Sequence, residues 1–308
     1  FAAHDIEYFF YNGGGDSQDT TFKVSEMAKK LKFPLKCIGI PKTVDNDLPY
    51  TDCSPGFGSV AKYIATSTLE AGLDVKSMAE TSTKVFILEV MGRHAGWIAA
   101  ASCLAATKAG DPPHIILLPE VPFEKTKFIT QVKQTVKEQG YCVIVASEGT
   151  QAKNGKFLAD SGLTDAFGHK QLGGVAPVLA GMISKIGLKN HWAVADYLQR
   201  SARHIASKTD LDQAYAVGEH AVKLAISGKT ALMPIIKRTS DSPYKWKIET
   251  APLKNVANIE KTMPKKFISK NGFEITQAGK TYLSPLIKGE APIKYVNGLP
   301  DIAELKMI

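Results

Sequence analysis

The segment Pro41-Lys42-Thr43-Val44-Asp45-Asn46-Asp47 places two carboxylates two residues apart beside a lysine. That combination suits phosphoryl transfer. One carboxylate can take the proton of an attacking hydroxyl, another can hold Mg²⁺, and the ammonium can offset charge developing on the transferred group. The same Asp-Asn-Asp run is good turn chemistry, so on this segment alone a solvated turn is an equal reading. Gly13-Gly14-Gly15-Asp16-Ser17 is a second such segment. Its glycines let the backbone approach a phosphate, and the first N–H groups of a following helix then face the anion. A tight turn with Ser17 as N-cap is the competing reading. Asp16 is unusual at an anion site, because its carboxylate repels phosphate unless a metal or a lysine balances it. Three further polar segments carry Met91-Gly92-Arg93-His94, Glu148-Gly149 and Tyr197-Leu198-Gln199-Arg200. Arg93 can clamp a phosphate, Gly92 permits close approach, and Glu148 can bind sugar hydroxyls.

What must position these residues is a series of strand ends. Apolar, β-rich runs are expected over residues 6–11, 37–40, 84–90, 115–118, 142–146 and 192–195. Helical patterns are expected over 17–31, 56–72, 95–106, 123–138, 174–186 and 211–226. Strands alternating with helices of this length imply parallel sheets with crossover helices. In open sheets of that kind ligands bind at the carboxyl ends of the strands, where all five polar segments fall. The alternation stops after residue 226. A hairpin is expected from 231–237 and 244–249 around Ser240-Asp241-Ser242-Pro243, and the remainder from Pro252 reads as irregular.

Composition narrows the class. The 308 residues are 44% apolar and 22% charged, enough for a sizeable core and against disorder as the main state. Thirty-eight Lys and Arg against 30 Asp and Glu give a net charge of +8. The lysines are dispersed, with Lys265-Lys266 the densest pair, so small phosphates are better partners than nucleic acid. The small-apolar stretch 95–106 is too short to span a bilayer, and no signal peptide opens the chain. Cys37, Cys53, Cys103 and Cys142 lie far apart with no Cys-x-x-Cys pair, which argues against zinc or a disulfide framework and fits a reducing cytoplasm. Phe1 in place of a methionine, running straight into a strand-like segment, suggests a chain entered mid-fold.

In order along the chain, Gly-Gly-x-Asp-Ser, Pro-Lys-Thr-Val-Asp-Asn-Asp, Pro55-Gly56-Phe57-Gly58-Ser59, Glu-Val-Met-Gly-Arg and Tyr-Leu-Gln-Arg resemble the phosphofructokinase family. The resemblance is strong from about residue 7 to 218, and Pro-Lys-Thr-x-Asp-Asn-Asp with Met-Gly-Arg is highly specific. Asp16 and Lys42 stand where the ATP-using members have glycines, which is similar to the pyrophosphate-dependent branch. There the aspartate would crowd and repel a nucleotide's α-phosphate, and the lysine would neutralise pyrophosphate.

The resemblance implies an α/β fold of two similar three-layer lobes with mainly parallel sheets. Residues 1–58 and 206–308 would form the phosphoryl-donor lobe, and 59–205 the sugar-phosphate lobe. It implies reversible, Mg²⁺-dependent phosphoryl transfer from pyrophosphate to the 1-hydroxyl of fructose 6-phosphate, in the cytoplasm. Asp45 matches the general base, and Lys42 and Thr43 the groups beside the transferred phosphoryl. Asp47, Met91, Gly92, Arg93, Glu148, Tyr197 and Arg200 match the sugar-phosphate site. Gly14, Gly15, Asp16 and Lys42 match the donor site, with Asp16 also toward the metal. Lys84 matches a basic residue that reaches the neighbouring subunit's site, so a dimer or larger homo-oligomer with shared sites is implied. Gly15 stands where relatives carry Asp or Asn close to the metal. The family's first strand and its Gly-Gly phosphate loop would precede Phe1, so the donor lobe is expected to be incomplete at its amino end. An ATP-dependent sugar kinase with altered signature residues, and a catalytically silent regulatory subunit that binds sugar phosphate, are the alternatives.

Overall fold

The computed structural model describes residues 1–164 and 170–306. In chain order the elements that matter are β1 (Tyr8–Gly13), α1 (Gly15–Lys30), β2 (Lys36–Pro41), α2 (Phe57–Met78), β3 (Val85–Val90), α3 (Trp97–Ala101), β4 (Ile115–Leu117), α4 (Lys125–Gln139) and β5 (Cys142–Ser147). Then follow β6 (Asp160–Thr164), β7 (Lys170–Leu172), α5 (Val175–Ser184), β8 (Asn190–Val194), α6 (Leu198–Ser201), α7 (Lys208–Ile226), β9 (Leu232–Asp241), β10 (Tyr244–Pro252) and α8 (Gln277–Leu283).

Two four-stranded sheets organise the chain. One has the order β4-β5-β3-β8 and is parallel throughout. Strands β3, β4 and β5 alternate between two apolar layers, as period-2 side chains require. Leu88, Val90, Ile116 and Val145 face α2 and α3 through Phe57, Ile64, Trp97 and Ile98. Val85, Ile87, Ile115 and Ile144 face α4 and α5 through Phe128, Val132, Leu179 and Ile183. The other sheet has the order β1-β2-β9-β10, with β9 and β10 antiparallel and the other pairs parallel. Ala28 of α1 packs with Cys37 on one face of it, and Ala221 and Ala225 of α7 pack with Ile38 on the other. Each sheet therefore sits between helices, the three-layer arrangement expected.

Most expected elements form, with differences that have local causes. The helix expected to stop at residue 72 continues to Met78. Gly72 is there because Pro112 packs on the helix: a Cβ would lie 2.4 Å from the proline ring. The helix expected over 95–106 is α for five residues and then tightens to a 3-10 turn, Ser102–Ala105. The hairpin is longer than expected, its two strands separated only by Ser242 and Pro243. Within the irregular tail, α8 forms with Thr276 accepting a cap bond from Gly279 N–H. The strand pair β6–β7 had no sequence signal; residues 165–169 between its strands lie outside the described residues.

No helix is long and apolar enough to cross a membrane among the described residues. The four cysteines are free and buried, and burial raises their pKa values, Cys37 to about 11.

Candidate active site

The carboxyl ends of β1, β2, β3 and β5 open onto one cleft of about 670 Å³. Gly14, Gly15, Asp16 and Ser17 enter it from the start of α1, and Thr43, Asp45, Asp47 and Leu48 from the loop after β2. Arg93 and His94 enter from the loop after β3, Glu148 from the end of β5, and Asn258, Ile259 and Glu260 from the tail. A cluster of acidic groups thus meets few cations, and burial shows in their titration.

Asp45 is raised to about 6, chiefly by burial and then by the neighbouring charges of Asp47 and Glu148, with Arg93 and His94 pulling the other way. Burial also raises Asp47 and Glu148; Lys261 partly offsets the first, and Arg93 the second. Asp47 Oδ1 and Arg93 Nε are buried without a hydrogen-bond partner. A buried polar atom left unpaired is costly, so each is a place for a ligand atom.

Local geometry explains the placement. Gly14, not Ser17, is the N-cap of α1, so Asp16 and Ser17 both lie in its first turn. An exposed carboxylate there is stabilised by the helix dipole. At Gly15 an added Cβ would meet nothing within 4 Å, so the absent side chain leaves open space beside the cleft. Asp45 N–H donates to Thr43 Oγ1 at 3.1 Å, which turns the chain into the loop. Gly92 has φ +124°, and its N–H donates to Glu148 Oε1 at 3.3 Å while its carbonyl accepts from Ser147 Oγ. Gly149 lies against the same loop so closely that a Cβ would stand 1.9 Å from Arg93 O. The loops after β3 and β5 are therefore packed backbone to backbone, which fixes Arg93 relative to Glu148.

Of the residues singled out from sequence, Gly14, Gly15, Asp16, Thr43, Asp45, Asp47, Arg93 and Glu148 converge on the cleft. Met91 and Gly92 support it through main-chain bonds, Met91 N–H to Gln199 Oε1 at 3.4 Å. Lys42 is exposed just outside the lining, its carbonyl 3.8 Å from where a Cβ on Gly14 would stand. Tyr197 and Arg200 also lie outside the lining, with the guanidinium stacked 4.1 Å from the tyrosine ring centre. Lys84 is remote from the cleft: its ammonium donates to the Ala79 carbonyl just beyond α2 of its own chain.

The wall from residues 258–260 was missed. Glu260 pairs with His94 Nδ1 at 2.7 Å, and Asn258 donates to Asp19 of α1 at 3.0 Å. Their stretch has no periodicity of its own. The position of His94 directly after Arg93 was the one available signal.

Residues 1–225 match the phosphofructokinase family. The chain is 65% identical over 306 residues to the pyrophosphate–fructose 6-phosphate 1-phosphotransferase of Halomonas elongata, covering 99% of this chain and 73% of that protein. It is 59% identical over 306 residues to the protein of the same name from Methylococcus capsulatus, with the same coverage. The crystal structure of the pyrophosphate-dependent phosphofructokinase from Marinobacter aquaeolei superposes with a TM-score of 0.91 at 60% identity, over 99% of this chain and 74% of that one. With the signature segments on one cleft and these likenesses in sequence and structure, the chain belongs to the phosphofructokinase family.

Proposed function

We propose that this cleft transfers a phosphoryl group reversibly between pyrophosphate and the 1-hydroxyl of fructose 6-phosphate, giving fructose 1,6-bisphosphate and phosphate. The observation that carries the reading is Asp45, a carboxylate desolvated to a pKa of about 6, set between the start of α1 and the Arg93–Glu148 loops. A general base is most effective when its pKa lies near the working pH. The names of the relatives at 59–65% identity supply donor and acceptor.

Asp45 takes the proton of the 1-hydroxyl as that oxygen bonds to the nearer phosphorus of pyrophosphate. The bridging P–O bond breaks, and its electron pair leaves with inorganic phosphate. Arg93, whose Nε is unpaired, meets phosphate oxygens, and Glu148 accepts sugar hydroxyls. Gly14 and Gly15 admit the donor to the N-terminus of α1. Asp16 disfavours the longer nucleotide chain, and Lys42 at the rim pairs with pyrophosphate.

The donor set fits Mg²⁺: Asp16 and Asp47 offer hard carboxylate oxygens, and Asp47 Oδ1 is buried and unpaired. When bound, the ion neutralises charge on the phosphates. No three such side chains form a ready metal cage among the described residues, so substrate phosphate oxygens would complete its shell.

The protein acts as a dimer or larger assembly. β8 is an edge strand of an all-parallel sheet, yet His191, Trp192, Ala193 and Val194 are all exposed, with Trp192 at 48% and the nearby Leu198 at 66%. Such a strand is normally covered, and a second copy would cover it beside Tyr197 and Arg200.

The test is a turnover assay of the full-length protein with pyrophosphate or ATP as donor, with and without chelation of Mg²⁺. Pyrophosphate with Mg²⁺ is expected to support turnover strongly and ATP weakly. Equal or faster turnover with ATP would overturn the donor assignment.

A further inference from the structure

The loop that presents Asp45 and Asp47 has little regular structure of its own. Asn46 and Tyr50 in it both take positive φ, 55° and 67°. Non-glycine residues hold such conformations only where the surroundings fix them. Asn46 is buried, and both ends of its amide are bonded. Ser54 N–H donates to its Oδ1 at 3.0 Å, its Nδ2 donates to Tyr282 OH at 2.9 Å, and Lys261 Nζ donates to Oδ1 at 3.3 Å.

Lys261 reaches the rest of the loop as well. Its ammonium donates to the carbonyls of Thr51 and Asp52, both at 3.0 Å. Its main-chain N–H donates to the Asp47 carbonyl at 2.6 Å. Its own carbonyl accepts from Trp97 Nε1 at 3.1 Å, and the ammonium lies 5.3 Å from the centre of the Trp97 ring. The ammonium therefore joins the outgoing arm of the loop, at Asn46, to the returning arm, at Thr51 and Asp52, while the main chain of the same residue holds Asp47. Lys261 itself does not line the cleft. Asp47, Asp52 and Cys53 face it from the loop and Arg238 from β9, and burial pulls its pKa down to about 8. Enclosing an ammonium away from water is costly, and the geometry of its bonds is what the loop gains from it.

We propose that Lys261 is a positioning residue for phosphoryl transfer: by bonding Asn46 and the Thr51 and Asp52 carbonyls, it aligns Asp45 and Asp47 with the bound substrates. This rests on the reading of Asp45 as the base. The effect passes through Asn46, whose left-handed backbone sends the two flanking aspartates toward the cleft. A displacement of about 1 Å at a reacting group is enough to lose about 10²-fold in rate.

The experiment is steady-state kinetics on the full-length protein carrying Lys261→Met, Asn46→Gly, both together, or Asp45→Asn. Lys261→Met keeps the length of the side chain and removes the donor. Asn46→Gly keeps the positive φ and removes the amide. Each is expected to lower kcat by about 10²-fold while KM for fructose 6-phosphate moves less than about threefold, the split expected when transition-state geometry alone is lost. The double variant should lose little beyond either single one, because both act through one network. Native kcat in Lys261→Met, a change in KM alone, or fully additive losses would overturn the proposal. If Lys261→Met does not fold, Asn46→Gly decides by the same split. Native turnover in Asp45→Asn would instead overturn the base assignment. An inert Asp45→Asn beside a native Lys261→Met would overturn the positioning role only.

Discussion

At the scale of single residues, Asp45 as the proposed base is expected to set the pH dependence and to carry a stability penalty. As a base it works ionised, so kcat/KM should fall as pH drops through about 6, where burial has moved its pKa. A rate profile from pH 3 to 8 checks this, and a break near 4 would show an unshifted group. Asp45→Asn should cut turnover by about 10²–10⁴-fold and leave sugar-phosphate binding nearly intact, measured by calorimetric titration. The sign for stability runs against the rate. The folded-state pKa lies above the unfolded one, so the folded protein holds an extra proton between about 4 and 6. Stability therefore falls as pH rises through that window. Asp45→Asn should melt at a higher temperature than the native protein at pH 7.5, with most of the gain gone at pH 4. A two-unit shift sets a ceiling of about 3 kcal/mol, reduced by the water that reaches the cleft. Equal melting temperatures at pH 7.5 would mean the carboxylate is well solvated.

At the scale of elements, strand ends set the geometry, and the tightest contact among them is at Gly149. Gly149→Ala puts a methyl where Arg93 O already lies, so the loop after β3 has to move. Overpacking of this kind costs about 1–3 kcal/mol. Turnover should fall further than the stability loss alone explains, since Arg93 moves relative to Glu148; melting curves beside kcat/KM check it. These strand ends were legible in the sequence because buried apolar runs stop abruptly at Gly, Asp, Glu or Arg. Val85–Val90 running into Met91-Gly92-Arg93 is the clearest case. The opposite wall was not legible. Residues 258–261 have no hydrophobic period, and their partners Asp19, Asn46 and His94 lie more than 160 residues earlier. Helix α8 escaped notice because seven residues carry barely two turns of pattern. Lys84 at the start of β3 bonds the nearby end of α2 within its own chain, a contact that no periodicity announces.

At the scale of the whole molecule, the exposed edge at β8 predicts assembly. Trp192→Asp should shift the protein toward monomer in sedimentation velocity and lower turnover with it; an unchanged sedimentation coefficient would place the interface elsewhere. The supports of the reacting loop have a different consequence. Ile236 and Arg238 of β9, Lys261 and Tyr282 of α8 hold Thr51, Asp52 and Asn46 in place. During synthesis at about 5–20 residues per second, Asp45 emerges roughly 10–50 s before Tyr282. Until β9, Lys261 and Tyr282 have emerged, the nascent chain carries every residue of that loop without its full set of supports. The first sheet can form its β1–β2 pair early, yet the loop waits for β9 and the segments beyond it. A nascent chain halted after β8 but before β9 would thus hold every strand of the all-parallel sheet while the loop that bears Asp45 still lacked its supports.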